Sequence, residues 1–320
     1  MWVSRLKYKE LKVFLILFSM FFSITSVIIT GSTVRDSVFL LNFDRTYLPL
    51  MYVLIAILVP FIIRLHRHIS DGLDELKVAN IMGLVFTLSL VLFNYEVLDW
   101  LIPFFYIWME IIIIFSVIQF WILAGRILNP RQAKRIFPLI ISGGSLAVIA
   151  SGYCIKPFTQ KFGSDSLLFL TLIFLGLSIL ISQFLHQFVK KDLTLKSDQI
   201  NSKSKQKPVF DNYLKSIAIM VICSAFVTKI IDYQFKIYAV NTFPDQNELV
   251  NFFGSYYMYT GAATLFMQAV FSPFILTRYG ILTGLIILPA AISIGSVGFA
   301  ALGSLSAILF SKFSDQVFKF

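Results

Sequence analysis

KDLTLKSDQINSKSKQKPVFD, residues Lys191–Asp211, decides how the rest of the chain is read. It is a long stretch rich in Lys, Ser and other polar residues inside a sequence that is otherwise strongly apolar. Six apolar runs precede it, near Leu11–Ser32, Tyr47–Ile63, Val78–Tyr95, Leu101–Ala124, Ile136–Ile155 and Ser166–Phe188. Three more follow, near Ser216–Val240, Leu249–Leu276 and Ile281–Leu302, and a tenth begins near Ser304. Each run comes close to the roughly 20 residues that carry a helix across a bilayer core. Helix is the form to expect. In lipid every backbone N–H and C=O must be paired within its segment, and these runs lack the alternation of barrel strands.

Composition agrees. Of the 320 residues 58% are hydrophobic, 34 are Phe and only 14% are charged. Mean hydropathy is +0.81. An average soluble chain is about 25% charged, so this one cannot cover its surface with polar groups in water. The two cysteines, Cys154 and Cys223, both lie in apolar runs, which excludes a secreted disulfide scaffold. The formal net charge of +10 is read as topology and not as nucleic-acid binding. With the N-terminus in the cytoplasm, the cytoplasmic segments hold Arg5, Lys7, Lys9, Lys12, Arg64, Arg67, Lys77, Arg126, Arg131, Lys134, Arg135, the run from Lys190 to Lys215, and Arg278. The outer segments hold Arg35, Arg45, Lys156 and Lys161. The first run is too long for a cleaved signal peptide and lacks its small-residue exit.

Six spans, a basic cytoplasmic linker and a second set of spans is the plan of the major facilitator superfamily. The expected fold is therefore an all-α, polytopic membrane bundle. Residues 1–190 form an N-terminal six-helix half, 191–211 the linker, and 212–320 a second half of about four spans. A second half of six needs two more spans, so a fragment or an early-terminated reading frame is expected. A natural ten-span protein is the alternative.

Ionisable groups in hydrocarbon cost about 2.5–3.5 kcal/mol each on insertion scales, so they need a reason to be there. Arg35 and Asp36 follow the first apolar run. They belong either to an outer loop with a local ion pair, or to a helix that continues past Gly31 and carries Arg35 into a cavity. Glu110 sits in FFYIWMEIIIIFSVIQFW, too deep to meet lipid, and faces the bundle interior or a water-filled cavity. The alternative role is a protonated structural carboxyl. In AFVTKIIDYQFKIY, Lys229, Asp232 and Lys236 share one helical face, and Asp232 can pair with either lysine. That face is either a self-neutralised patch near the outer interface or a partly neutralised cationic surface that suits phosphate. RILNPRQAKR, Arg126–Arg135, reads as a basic cytoplasmic loop.

Small residues in the fifth span, among them Gly143, Gly144, Ser145, Ala147 and Gly152, let two helix backbones approach closely. NFFGSYYMYTGAATLFMQ, Asn251–Gln268, is rich in Tyr and small polar groups. Tyr256 and Tyr259 there offer rings for stacking a base, or simply pack against helices. His66, His68 and His186 lie at membrane–cytosol edges without the further ligands zinc needs. The sequence has no Walker motif, dinucleotide fingerprint or nucleophile elbow. No metal or cofactor is expected, and neither a pump nor an intramembrane hydrolase is supported.

The run FYIWMEIIIIFSVIQFWILAGRILNPRQAKRIFPLIISGGSLAVIASG resembles the nucleotide transporter family, the ATP/ADP antiporters of plastids and intracellular bacteria. Glu110, Phe120-Trp121 and Gln132-Ala133-Lys134-Arg135 look like that family's pattern. TKIIDYQFKIYAVNTFPDQNELVNFFGSYYMYTGAATLFMQ is similar to its seventh and eighth spans. Asp232 falls where the family carries a functional Glu, Lys236 where it has a Lys, and Arg35-Asp36 on its Lys-Asp or Arg-Asp pair. A further functional Lys of the family lies beyond SKFSDQVFKF and is expected to be lacking. A looser branch of relatives, to which transport has not been assigned as a class, shares the Arg-Asp pair and the Ala-Lys-Arg segment.

The resemblance implies a secondary transporter that exchanges nucleotides such as ATP and ADP, or another organic phosphate anion, by alternating access. With Lys229, Tyr256 and Tyr259 added from the reading of the residues themselves, the expected substrate-binding residues are Arg35, Asp36, Glu110, Lys229, Asp232, Lys236, Tyr256 and Tyr259. The expected setting is a monomer spanning a bacterial inner membrane. The rival reading is a non-transporting anchor or sensor, with a sealed bundle and no shared central site. Convergence of Arg35, Glu110 and Asp232 on one place discriminates between the two.

Overall fold

The computed structural model describes residues 8–70, 75–93, 99–192, 212–271, 274–275, 278–302 and 305–317. Its helices are α1 (Tyr8–Asn42), α2 (Leu48–Ser70), α3 (Glu75–Phe93), α4 (Ile102–Ile127) and α5 (Pro130–Phe162). They continue with α6 (Leu167–Asp192), α7 (Asn212–Thr242), α8 (Gln246–Phe266), α9 (Gly280–Leu302) and α10 (Leu305–Val317). No strand occurs among the described residues. Six stretches are long and apolar enough to cross a bilayer, and they lie in α1, α2, α4, α5, α6 and α7. Shorter apolar helices, Lys77–Phe93 and Ile287–Gly298, lie in α3 and α9. The chain is thus an all-α, multi-pass membrane protein. Of the linker Lys191–Asp211, the first two residues finish α6 and residues 193–211 lie outside the described ones.

α1 is the central helix. From Ser23 to Leu40 all but Ile28 and Val38 are buried, and α1 packs against α4, α5, α6 and α8. So many polar residues in a buried helix require internal partners. Ser23, Ser26, Thr30 and Thr33 each donate to the carbonyl four residues back, while Ser32 and Ser37 donate three back. The helix also does not stop at Gly31 but runs on to Asn42. Arg35 and Asp36 are therefore buried helical residues, which overturns the outer-loop reading.

α5 begins with a full capping box. The Asn129 side chain accepts from Gln132 N, the Gln132 side chain accepts from Asn129 N, and Pro130 opens the helix. Gln132 and Arg135 also donate to Glu10 of α1, so RILNPRQAKR is partly a helix start and not only a loop. α5 ends at Gly163, whose φ of 81° is left-handed and suits glycine. His66 lies just past the apolar stretch Arg45–Arg64 of α2. Its Nε2 lies 2.8 Å from Gln119 Nε2, and its ring meets Phe115 edge-on.

The glycines of α5 serve two neighbours. An added Cβ on Gly143 meets the Phe18 ring at 2.7 Å, and one on Gly144 meets Phe21 at 2.6 Å, both on α1. On Gly152 it meets backbone atoms of α8, Gly254 O and Met258 N, each at 2.6 Å. α5 and α8 form the most extensive helix pair in the bundle.

Candidate functional site

Seven charged side chains from four helices form one ion-pair network. Arg35 of α1 donates through Nε to Asp36 Oδ1 at 2.8 Å and places Nη2 at 2.8 Å from the same oxygen. Its Nη1 donates to Glu110 Oε2 of α4. Lys236 of α7 bridges Asp36 Oδ2 at 3.0 Å and Asp232 Oδ2 at 2.8 Å. Asp232 also accepts from Lys312 of α10 at 2.6 Å and from the Tyr52 hydroxyl of α2 at 2.8 Å. Lys229 reaches Glu110 Oε1 at 3.9 Å.

Two tyrosines hold this network in place. Tyr106 and Tyr52 each lie 3.4 Å from Lys236 Nζ through their hydroxyls. The Arg35 guanidinium stands 4.6 Å from the Tyr106 ring centroid, and Lys229 Nζ stands 4.9 Å from that of Tyr52. These distances fit cation–π contact. Arg35, Asp36, Lys236 and Lys312 are all buried. Four cations, Arg35, Lys229, Lys236 and Lys312, face three anions, Asp36, Glu110 and Asp232. The network therefore carries one positive charge in excess. Lys229 has the freest cation, with its side chain 49% exposed.

The network lies where the two sets of helices close on each other. The helices before the linker, α1 to α6, are taken as one set, and α7, α8 and α10, which follow it, as the other. Their contacts sit in the half of the bundle away from the N-terminus. Arg45 Nη1 donates to Asn241 at 2.7 Å, Thr159 to Asn251 at 2.9 Å, and Ser164 to Asn247. The deepest of these polar contacts joins Ser145, near the middle of α5, to Gln268, just past the end of α8, at 3.1 Å. An apolar cluster seals the same half, with Phe39, Leu40, Leu48 and Tyr106 packed against Phe235, Val240, Leu249 and Phe253. On the N-terminal side the sets part. The cluster around Leu17, Phe120, Ile136 and Leu185 draws only on the first six helices. In α7, residues 218–227 are exposed on every face. The contacts named between the sets thus lie from mid-depth to the side away from the N-terminus, and Lys229 stands just past the exposed stretch of α7.

Arg35, Asp36, Glu110, Lys229, Asp232 and Lys236, all expected from sequence, are brought together. Tyr256 and Tyr259 are not part of the network. Tyr256 is buried against Phe235 and Tyr257, while Tyr259 is 66% exposed. Sequence reasoning missed Lys312, Tyr52 and Tyr106. Lys312 was legible as a basic residue in the largely apolar last run, but its partner stands 80 positions away.

The sequence profile of TLC ATP/ADP transporters matches residues 9–318. ADP,ATP carrier protein 1 of Chlamydia trachomatis serovar D is 25% identical over 281 residues, covering 78% of this chain and 51% of that protein. The chloroplastic ADP,ATP carrier protein 1 of Arabidopsis thaliana is 26% identical over 203 residues, covering 58% of this chain and 32% of that one. The chain thus spans about half or less of the length of these relatives. Among solved structures, the nucleoside transporter NupG superposes with a TM-score of 0.60 at 16% identity, covering 95% of this chain and 79% of its own. That similarity is one of fold, the facilitator-type bundle. With nearly its whole length matched, the chain belongs to the TLC ATP/ADP transporter family, a family of carriers and not of enzymes.

Proposed function

We propose that the chain exchanges nucleotides such as ATP and ADP, or a closely related organic phosphate anion, across a membrane by alternating access. The observation that carries this reading is the convergence of Arg35, Glu110 and Asp232 on one network at the junction of the two helix sets; the proposed entry is a cleft on the side where α7 is exposed. A sealed anchor has no use for so many buried charges. An anion that enters the cleft first meets Lys229, whose only carboxylate neighbour in the network is 3.9 Å away. Phosphate oxygens then compete with Glu110 for Lys229 and with Asp36 for Lys236. Each carboxylate so displaced loosens a tie between the sets, because Arg35–Glu110 stays within one set while Lys236–Asp36 and Lys229–Glu110 cross between them. Binding energy is thereby coupled to opening of the sealed side. Partly screened surface charges lack this leverage, whereas charges in a cleft of lower dielectric interact strongly.

The Lys and Arg distribution supports a cytoplasmic N-terminus, so the proposed cleft faces the cytoplasm. The proposed setting is a bacterial inner membrane, with the chain acting as a monomer. Residues 1–190 and 212–320 are proposed as the two rocking units, joined by the basic linker. The test is uptake of labelled ATP by cells expressing the chain, with and without ADP loaded inside. Faster uptake into ADP-loaded cells is expected. No uptake of any nucleotide, with the protein present in the membrane, overturns the nucleotide assignment.

A further inference from the structure

One aromatic side chain of the first helix set touches Lys229, Asp232 and Lys236 together, the charged face of α7. Tyr52 stands in the second turn of α2 and is partly buried. Its hydroxyl donates to Asp232 Oδ2 at 2.8 Å and accepts from Lys236 Nζ at 3.4 Å. Lys229 Nζ stands 4.9 Å from its ring centroid. The hydroxyl thus uses both its donor and its acceptor capacity, and both partners lie across the junction of the two sets. α2 itself packs more extensively on α4 than on α7. The hydroxyl bonds are therefore a tie between the sets, set beside the apolar seal of the far side, the side away from the N-terminus. Removing the hydroxyl strands no charge, because Asp232 keeps Lys236 and Lys312.

The ring faces a different task. Lys229 is half exposed, and its carboxylate neighbour in the network, Glu110, is 3.9 Å away. A lysine held so loosely keeps much of its rotamer freedom, and ordering it at the moment of binding costs affinity. The ring fixes the ammonium in one place by cation–π contact without cancelling its charge. Three N–H groups on that ammonium leave donors over for phosphate oxygens. A carboxylate in place of the ring would fix Lys229 equally well but would remove the positive charge that attracts an anion. Tyr106 is the contrast. Its ring meets Arg35, which is buried and already paired with Asp36 and Glu110. Tyr106 therefore supports the interior of the network, whereas Tyr52 serves the cation that solvent reaches.

We propose that Tyr52 is a positioning residue with two separable functions. Its ring holds Lys229 where the phosphates of the substrate meet it. Its hydroxyl latches α2 to α7 and keeps the far side closed. The first function rests on the transport reading above, whereas the second does not.

Two measurements separate these functions, both on the full chain with Cys154 and Cys223 changed to Ser. Thr159, 4% exposed at the far-side contact with Asn251, is changed to Cys and labelled from the far side with a membrane-impermeant thiol reagent, without nucleotide. Binding of labelled ATP to the purified chain is the second readout. Tyr52→Phe removes the hydroxyl and keeps the ring. It is expected to label about three- to tenfold faster, as loss of a hydrogen-bonded tie allows, and to bind ATP as the parent does. Tyr52→Leu removes both groups and is expected to label as fast, with ATP binding about three- to tenfold weaker through loss of the cation–π contact. Should Tyr52→Leu fail to fold, Tyr52→Met takes its place. Lys229→Gln tests whether the ring acts through the cation. In that background the difference in ATP affinity between Tyr52→Phe and Tyr52→Leu is expected to vanish. Labelling of Tyr52→Phe at the parent rate overturns the latch. Equal ATP affinity of Tyr52→Phe and Tyr52→Leu, or a difference that persists without the Lys229 cation, overturns the positioning of Lys229. If the parent binds no nucleotide, the function assigned above falls together with that of the ring, and the labelling result alone decides the latch.

Discussion

Glu110 and Arg35 show how one residue holds the network without being the sole support of its partner. Arg35 keeps two contacts to Asp36 when Glu110 loses its charge. Glu110→Gln retains the shape and an accepting oxygen, so the helices stay packed. Exchange is expected to slow by about tenfold or more, since a weakening of only ~1.4 kcal/mol has that effect on a rate. The thermal midpoint in detergent is expected to change little, and loss of folded protein instead would assign Glu110 a structural role. Lys312 is the opposite case. Removing it leaves Asp232 with Lys236 and Tyr52 but strips away its shortest contact. Lys312→Met is expected to destabilise by about 1–3 kcal/mol, because a buried charge loses a partner. Combining it with Asp232→Asn should recover part of that loss, with a coupling of about 0.5–3 kcal/mol. Strict additivity in thermal melts of the four proteins would mean that the pair does not interact.

At the scale of helices, α5 carries its instructions in small residues, and they are read by two different partners. Gly152 allows α8 to approach backbone to backbone, whereas Gly176 of α6 faces open space. Gly152→Ala puts a methyl group 2.6 Å from backbone atoms that cannot swing aside. It is expected to cost about 1–3 kcal/mol by overpacking and to impair closure of the far side. Gly176→Ala is the control and is expected to be neutral or stabilising by up to about 1 kcal/mol. Equal behaviour of the two variants in melting and uptake would refute the close approach. Sequence reading found the crowding of small residues in α5 and the shared face of Lys229, Asp232 and Lys236, because both are local patterns of helical period. It left open whether Arg35 lay in a loop or a helix. Gly31 and the polar run after it look like a stop, and only the back-bonded hydroxyls inside a packed bundle make the helix continue. Lys312, Tyr52 and Tyr106 stayed hidden for another reason. Their roles exist only through contacts with residues of distant helices, which no local spacing encodes.

For the molecule as a whole, the one-sided closure makes a claim about movement. The two helix sets touch from mid-depth to the far side, through Ser145–Gln268, Thr159–Asn251, Ser164–Asn247 and Arg45–Asn241. Alternating access requires those contacts to separate in every cycle. A covalent tie there must therefore stop transport without altering the structure described, which already has the tie's ends together. Thr159 and Asn251 suit the test, since their side-chain oxygens lie 2.9 Å apart. The native Cys154 and Cys223 are exposed and are first changed to Ser. In that background Thr159→Cys with Asn251→Cys should cross-link under mild oxidation, abolish ATP/ADP exchange, and regain it on reduction. Each single cysteine should leave exchange intact under the same oxidant. Accessibility supplies the second half of the argument. Lys229→Cys in the locked protein should react with a membrane-impermeant thiol reagent supplied on the N-terminal side and not from the other, because the ion-pair layer and the apolar seal stand between Lys229 and the far surface. Exchange that persists in the cross-linked protein would show that the far-side contacts are a fixed seam, and that the moving parts lie elsewhere.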